Sequence, residues 1–502
     1  MKLNDLLVDI VTSPHIDASS MSETFVTGLA LNSSQVKAGN LFIALAGSQQ
    51  HGLVYAKQAI ELGSIAVIFD PVGGGKEMAQ QIENIPVLAV DDLDKHLGAI
   101  AARYYDYPSQ SIGVIGITGT NGKTSCSQFL GQMLEDCGVI GTLGWGEWGA
   151  LNKTINTTPD ALEIQRILDA LRKDKKQWVA MEVSSHGLVQ GRVNAVTFIG
   201  AVFTNITRDH LDYHGTMESY LAAKLQLLAK PGLGFVVVNL DDDYSDQVIK
   251  AVPKNVVIWG VSAKGQKLSG VETVNVSSIL HKSAGLAFDV QWRDQNHKVE
   301  VPIYGDFNVE NISIILAVML ALEIDMLVAV KKLQRLQPVI GRMEYWVGND
   351  QPLIFVDYAH TPDALKKVLL SLRKHCQQDL WVVFGCGGNR DKGKRAEMGQ
   401  IAQELADYVI VTDDNPRFEE STTIINEILL GCNESSPAKA VVEIIQNREL
   451  AIQTVINKAA QFDCILIAGK GHEDYQEING TRLKFSDNQV VKKALEMRVG
   501  SV

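Results

Sequence analysis

The stretch Ile112–Thr124, IGVIGITGTNGKT, constrains this chain more than any other: a run of β-branched residues and glycines breaks into a glycine-rich turn and ends in Lys and Thr. The run from Ser125 to Cys137 has a helical pattern, so the order predicted is strand, loop, helix. Gly116, Gly119 and Gly122 let the backbone turn its N–H groups inward, and the helix N-terminus adds partial positive charge. Lys123 can reach terminal phosphates, and the Thr124 hydroxyl can bind Mg²⁺. The form is GxxGTNGKT rather than GxxxxGK[ST], because Ile117 stands five residues before Gly122. A plain strand-to-helix turn gives no packing reason for Lys-Thr after the third glycine. A nucleoside triphosphate is therefore the first ligand expected, on Gly119, Thr120, Asn121, Gly122, Lys123, Thr124 and Ser125.

At 502 residues the chain exceeds what one hydrophobic core supports, and at ~100–200 residues per domain about three domains are expected. A net charge of −12 argues against a nucleic-acid or anionic-membrane partner, so phosphates must be met by local basic residues. The six cysteines form no CxxC pair and suggest neither a zinc site nor a disulfide framework. No stretch reaches ~18 apolar residues, and the N-terminus lacks a leader pattern. A cytoplasmic, monomeric protein is expected.

Residues 1–108 read as a small α/β unit, with apolar runs at 41–45, 65–70 and 86–90. Gly73-Gly74-Gly75-Lys76 resembles a phosphate loop until Glu77 appears where Ser or Thr should be, and reads as a surface turn. Arg103–Gln110 is the expected linker. Across 109–336 strands and helices alternate as in a doubly wound nucleotide-binding domain. Its polar motifs fall at strand C-termini, where open α/β sheets bind ligands. Across 337–502 the pattern restarts: LIFVDYAH, LWVVFGCGGNRD, YVIVTDDNPR and CILIAGKGHE each end in a charged or glycine-rich cluster. The fold class expected is α/β, in three domains with mostly parallel sheets.

Three further residues bear on metal chemistry. Glu182 ends its strand as a Walker-B-type acid would and could hold Mg²⁺ with Thr124; it could equally be a capping residue. His210, in RDHLDYH, is either a ligand for a second metal or a structural histidine. Lys224 falls on the apolar arc set by Leu221, Leu225 and Leu228, where a surface lysine should not point. A buried lysine has a depressed pKa and a nucleophilic amine that can add CO₂, turning a cation into a metal-ligating carbamate. The sequence permits this chemistry without requiring it.

Taken in order, GITGTNGKTS, NTTP, EVSSHGL, TRDHLDYHG, YGDFNVEN, PVIGRME, DYAHTPD, GCGGNRDKGKR, DDNPR and AGKGHEDYQ span nearly the whole chain, which in these motifs resembles the ATP-dependent Mur ligases of peptidoglycan synthesis. The resemblance implies an N-terminal domain for the UDP end of one substrate, a central P-loop ATPase, and a C-terminal Rossmann-like domain for an incoming amino acid. It implies catalytic roles for Lys123, Glu182, His210 and Lys224, with Lys224 carbamylated and binding the second of two Mg²⁺ beside His210. It implies nucleotide contacts from Asn308, Arg342 and Asp357, and a UDP-muramoyl dipeptide held by Asn156, Thr157, Thr158, Ser184, Gln190 and Arg192. UDP contacts are expected at Leu31, Ser33, Ser48, Gln49 and Gln50. Here the chain departs from the family, with Asn32-Ser33-Ser34 where an acidic DSR is usual and His51-Gly52 in place of Asp-Gly.

The chemistry implied is carboxylate activation by ATP followed by attack of an amine. The amino acid expected is meso-diaminopimelate rather than L-lysine, because its extra carboxylate needs a cation and Asp414-Asn415-Pro416-Arg417 supplies a planar guanidinium with Asn415 beside it. Arg390 offers a second guanidinium, and Glu473 with the Gly469 backbone can take the ammonium. Other readings are an L-lysine-adding or other Mur ligase, a folylpolyglutamate-type synthetase and, in a different class, a P-loop switch. A switch needs neither a metal-binding lysine nor a third domain with polar strand ends.

Overall fold

A computed structural model describes residues 1–11, 23–47, 49–282, 284–348, 350–432 and 440–499. Ser48, expected among the UDP contacts, lies outside the described residues. The fold is α/β with mostly parallel sheets, and the chain falls into two units, one of Met1–Thr118, Glu135–Ala201 and Ala222–Gly234, the other of Gly119–Leu134, Val202–Leu221 and Phe235–Val502.

The first unit opens with a four-stranded parallel sheet, β1 (Gly28–Ala30), β2 (Asn40–Ala44), β3 (Ala66–Phe69) and β4 (Val87–Ala89), in sequence order. Alternate side chains point to opposite faces. Leu41, Ile43 and Ile68 join Leu93, Leu97 and Ile100 of the helix Leu93–Tyr104 in one core, while Phe42, Ala44 and Val67 pack with Leu53, Ala56 and Ala59 in another. Both faces are covered, as a parallel sheet requires. The Gly73–Lys76 segment is a turn running into the short helix Gly75–Ala79, with Gly73, Gly74 and Lys76 exposed. The unit also holds β5 (Gly113–Thr118), β6 (Cys137–Gly141), β7 (Gly144–Glu147), β8 (Ala150–Asn152) and β9 (Trp178–Glu182). Of these, β5, β9 and β6 are parallel neighbours, and β7 and β8 extend them antiparallel. The helix after the glycine-rich loop spans Lys123–Met133, shorter than the sequence suggested, because Cys137 opens β6.

β10 (Phe198–Phe203) carries the chain from the residues of one unit into those of the other. The second unit contains β11 (Phe235–Asn239), β12 (Val257–Ser262) and β13 (Glu272–Lys282), which run parallel, then β14 (Gly285–Trp292) and β15 (Gln295–Val301), which return antiparallel. The helix Asp306–Ala321 is apolar on nearly every side after its first turn and is buried accordingly. Six more strands follow: β16 (Glu344–Trp346), β17 (Leu353–Asp357), β18 (Leu380–Phe384), β19 (Tyr408–Val411), β20 (Val441–Ile444) and β21 (Cys464–Ala468). Their order is β16-β17-β21-β18-β19-β20, and all but β16 are parallel. The C-terminal ends of β17, β21, β18 and β19 therefore share one edge. That edge carries the DYAH, GKGHE, GCGGNRD and DDNPR clusters. A two-stranded ribbon, β22 (Tyr475–Ile478) and β23 (Thr481–Lys484), follows β21.

Candidate active site

In the first unit, Glu182 is fully buried at the end of β9; its carboxylate accepts from the Thr142 N–H and hydroxyl, each at 3.0 Å. The Thr142 hydroxyl also meets that of Thr157 at 3.0 Å, and the Thr158 hydroxyl donates to the Glu182 carbonyl and accepts from the Ser184 N–H at 2.9 Å. Arg192 donates to the Thr158 carbonyl at 2.6 Å and to the Gln190 side chain. Glu182, Thr157, Thr158, Ser184, Gln190 and Arg192 are thus one hydrogen-bonded patch, while Asn156 stands exposed beside it in sequence. Around Lys224 the buried residues are Tyr220, Ala223, Leu227 and Leu228, with Leu221 and Leu225 only half-buried. The apolar arc is rotated from the one expected, so that Lys224, 1% exposed, lies at its centre.

The N-terminal sheet accounts for its departures from the family. The Ser33 hydroxyl donates to Gln58 at 2.8 Å, and the Asn32 side chain caps the turn by accepting from the Ser34 N–H. Gln49 and Gln50 are exposed, with Gln50 paired to Tyr55, and Leu31 is half-buried. His51 is buried; its Nδ1 accepts from the Leu53 N–H at 3.1 Å. Nε2 must then carry the proton, which it donates to the Asp70 carbonyl at 2.8 Å. The imidazole does the capping that an aspartate would do.

In the second unit the glycine-rich loop is built as its composition demands. Gly119 and Gly122 sit at φ +149° and +87°, and a Cβ on Gly119 would lie 1.9 Å from the Thr204 hydroxyl. Asn205 fixes the loop by accepting from the N–H groups of Thr120 and Asn121. Lys123 donates to the carbonyls of Gly119 and Thr120, both at 2.8 Å, so its ammonium is held over the loop. Arg342 donates to the Thr124 hydroxyl at 3.2 Å and lies 4.5 Å over the Tyr358 ring. Asp357 accepts from the N–H groups of Met343 and Ala359; burial raises its pKa and Arg342 opposes the rise. A cavity of about 310 Å³ is lined by Asn121, Gly122, Ser125, Arg342 and Asp357, among others, while Gly119, Lys123 and Thr124 are not in its lining. Asn308 is buried, its amide used on the Tyr304 carbonyl and on Asn311, and it is Asn311 that lines the cavity.

A second cavity, about 330 Å³, opens at the shared strand edge and is lined by His210, Arg390, Asp414, Asn415, Arg417, Gly469 and Glu473, among others. Tyr358 and His360 line both cavities. Arg417 donates to the Gly388 carbonyl at 2.8 Å, and Arg390 is exposed at the rim. Pro416 is buried behind Arg417, so the turn does not send the guanidinium into solvent.

Several residues here were not singled out in the sequence. His360 donates Nδ1–H to the Tyr358 carbonyl at 2.8 Å, and burial, with Lys394 nearby, lowers its pKa to about 4. Burial works against the Asp209 carboxylate, but His210, His360 and Lys123 outweigh it and hold its pKa below the usual range. Arg395, fully buried, binds Glu419 through both oxygens, Glu427 at 2.6 Å and the Gly387 carbonyl, and holds the Glu419 carboxyl at about 2. For His360 and Asp209 the available signal was a position shortly after an apolar strand, where ligand residues gather; Arg395, inside the helix Gly393–Leu405, carried none. Among the described residues no three His, Cys, Asp or Glu side chains form a metal cage.

Three family descriptions match successive stretches of the chain: "Mur ligase family, catalytic domain" at 25–105, "Mur ligase middle domain" at 117–319 and "Mur ligase, glutamate ligase domain" at 341–471. A protein of Coxiella burnetii named UDP-N-acetylmuramoyl-L-alanyl-D-glutamate--2,6-diaminopimelate ligase is 42% identical over 479 residues, 94% of this chain and 96% of its own. A solved structure bearing the same name covers 99% of both chains at 34% identity, with a TM-score of 0.69. The MurF ligase of Thermotoga maritima, solved in complex with ADP, shares the fold at 18% identity, with a TM-score of 0.66 over 95% of this chain and 98% of its own. The motifs, the sheet edge they occupy and these likenesses agree, and the chain belongs to the Mur ligase family.

Proposed function

We infer that this protein is an ATP-dependent ligase that joins meso-diaminopimelate to the D-glutamate carboxylate of UDP-N-acetylmuramoyl-L-alanyl-D-glutamate in peptidoglycan precursor synthesis. The observation that carries the reading is the pair of cavities with a common wall at Tyr358 and His360, one bordered by the glycine-rich loop at Asn121 and Gly122 and the other by three arginines, Arg208, Arg390 and Arg417. An amine cannot expel oxide from a carboxylate. The carboxylate must first take the γ-phosphoryl of ATP, releasing ADP; the amine then attacks the acyl carbon, phosphate leaves and the nitrogen loses a proton. In this scheme the loop N–H groups, Lys123 and Arg342 hold the phosphates, and Asp357 fixes the backbone of Met343 beside Arg342.

The hydroxyl of Thr124 and the carboxylate of Glu182 are hard oxygen donors that suit Mg²⁺, which commonly takes most of its ligands from water and substrate phosphates rather than from a protein cage. His210 and Lys224 as a carbamate would serve a second ion, and the burial of Lys224 supports that chemistry. Bound Mg²⁺ would offset charge on the transferring phosphoryl group. Thr157, Thr158, Ser184, Gln190 and Arg192, with Asn156, are assigned to the dipeptide, and Leu31, Ser33, Gln49 and Gln50 to the UDP end. The reaction is assigned to the cytoplasm and the enzyme as a monomer; no described helix is long and apolar enough to cross a membrane.

The test is ADP release with ATP, the UDP-dipeptide and candidate amino acids. Release that needs both the dipeptide and meso-diaminopimelate, with a product heavier by one diaminopimelate residue, is the expected result. Equal use of L-lysine, or ADP formed from ATP alone, would overturn the reading.

A further inference from the structure

Lys470, in the GKGHE turn after β21, has no exposed surface. Its ammonium lies 2.9 Å from Glu473 Oε2, 3.0 Å from Asn415 Oδ1 and 3.8 Å from Asp414 Oδ1, with the Tyr475 ring 5.5 Å away. Asn415 also donates its amide to the same Glu473 oxygen, at 2.8 Å. Oε2 thus takes two donors, while Oε1 has no hydrogen-bond partner among the described residues. Asp414, Asn415 and Glu473 line the amino-acid cavity, and Lys470 stands behind them.

Lys470 has two consequences for that cavity. By engaging Oε2 it fixes the carboxylate so that one oxygen remains for a ligand. By neutralising one of the two carboxylates it also leaves this end with a net single negative charge, enough for one ammonium. The carboxylate of the ligand is left to Arg417 and Arg390. Without Lys470 the same end would carry two negative charges, opposed only by the field of Arg448, which is itself bound to Asp487, and would favour any ligand whose far end is purely cationic.

We propose that Lys470 is a specificity-determining positioning residue, which acts through Glu473 and Asn415 to make the cavity prefer an amino acid with a zwitterionic far end over one ending in an ammonium alone. The inference rests on the reading of this cavity as the amino-acid site. Its test is a comparison of kcat/KM for meso-diaminopimelate and L-lysine in wild type, Lys470→Met, Glu473→Gln and the double variant. Lys470→Met is expected to lower the diaminopimelate-to-lysine ratio at least tenfold, mainly through KM for diaminopimelate, with KM for ATP within twofold of wild type. Once Glu473 is neutral, Lys470 keeps only Asn415 and the more distant Asp414, 3.8 Å away, so most of its effect should be gone and the double variant should lie within fivefold of Glu473→Gln in its ratio. A Lys470→Met ratio within twofold of wild type would overturn the proposal. So would a difference above fivefold between the double variant and Glu473→Gln, a comparison that decides the matter even if Lys470→Met fails to fold. Wild type that shows no diaminopimelate-dependent ADP release would instead remove the reading of the cavity itself.

Discussion

Arg417 holds its guanidinium on a backbone at φ +52°, a left-handed conformation that a non-glycine residue adopts only when its surroundings impose it. Its N–H donates to the Glu477 carbonyl at 2.9 Å, its own carbonyl accepts from Asn479 at 2.7 Å, and its side chain is held by Gly388. The ribbon β22–β23 and the loop after β18 therefore aim this side chain together. Removing a partly buried cation that binds a carboxylate costs about 2–5 kcal/mol. Arg417→Ala should raise KM for meso-diaminopimelate at least tenfold with little change in KM for ATP; steady-state kinetics in each substrate would check it. The place of Arg417 at the strand edge was legible in DDNPR, because charged clusters that follow apolar strands gather at that edge. Its strained backbone was not, because the strain is imposed by residues sixty positions downstream. Lys224 was legible for the opposite reason, since a lysine inside a helical apolar pattern conflicts with its own chemistry, although the arc around it was misjudged by one step.

At the scale of elements, the two strand ends carrying Asp414 and Gly469 are tied together from behind. Arg448, at the start of the helix Arg448–Lys458, donates to the carbonyls of Ala468 at 2.8 Å and Asp413 at 3.4 Å. Asp487, at the start of the helix Asp487–Val499, receives two hydrogen bonds from the same guanidinium, each at 2.8 Å, and neither side chain has exposed surface. Breaking such a pair leaves a buried charge uncompensated and costs about 3–5 kcal/mol. Asp487→Ala should lose that much in urea unfolding, and Arg448→Met with Asp487→Leu should lose less than Asp487→Ala alone. Nothing in the sequence marks this pair, because a charged residue at a helix start reads as surface capping. The strands β17, β18, β19 and β21 were plain as apolar β-branched runs. The edge strands β16 and β20, half-exposed and three or four residues long, gave no such run.

At the scale of the whole molecule the order of motifs disclosed the family. It could not disclose that the two cavities share a wall, which depends on β17 lying beside β21. Titration offers a global check on the second unit. Burial lowers His360 and His375 to about 4 and His472 to about 3. Unfolded histidines bind protons near pH 6.5 and these folded ones do not, so unfolding takes up protons between pH 6.5 and about 4 and stability falls as pH falls through that window. Buried carboxyls whose pKa is raised, among them Asp357, Glu310 and Asp413, act in the other direction, so the histidine part is best isolated by a variant. The stability of wild type relative to His375→Gln should decline as pH drops from 7 to 4.5; parallel curves would show that His375 does not contribute. The shared wall has a consequence of its own. If Tyr358 or His360 shifts when one cavity fills, the other ligand meets an altered partner, and thermodynamic linkage makes the effect mutual: whatever factor nucleotide adds to the affinity for the amino acid, the amino acid adds to the affinity for nucleotide.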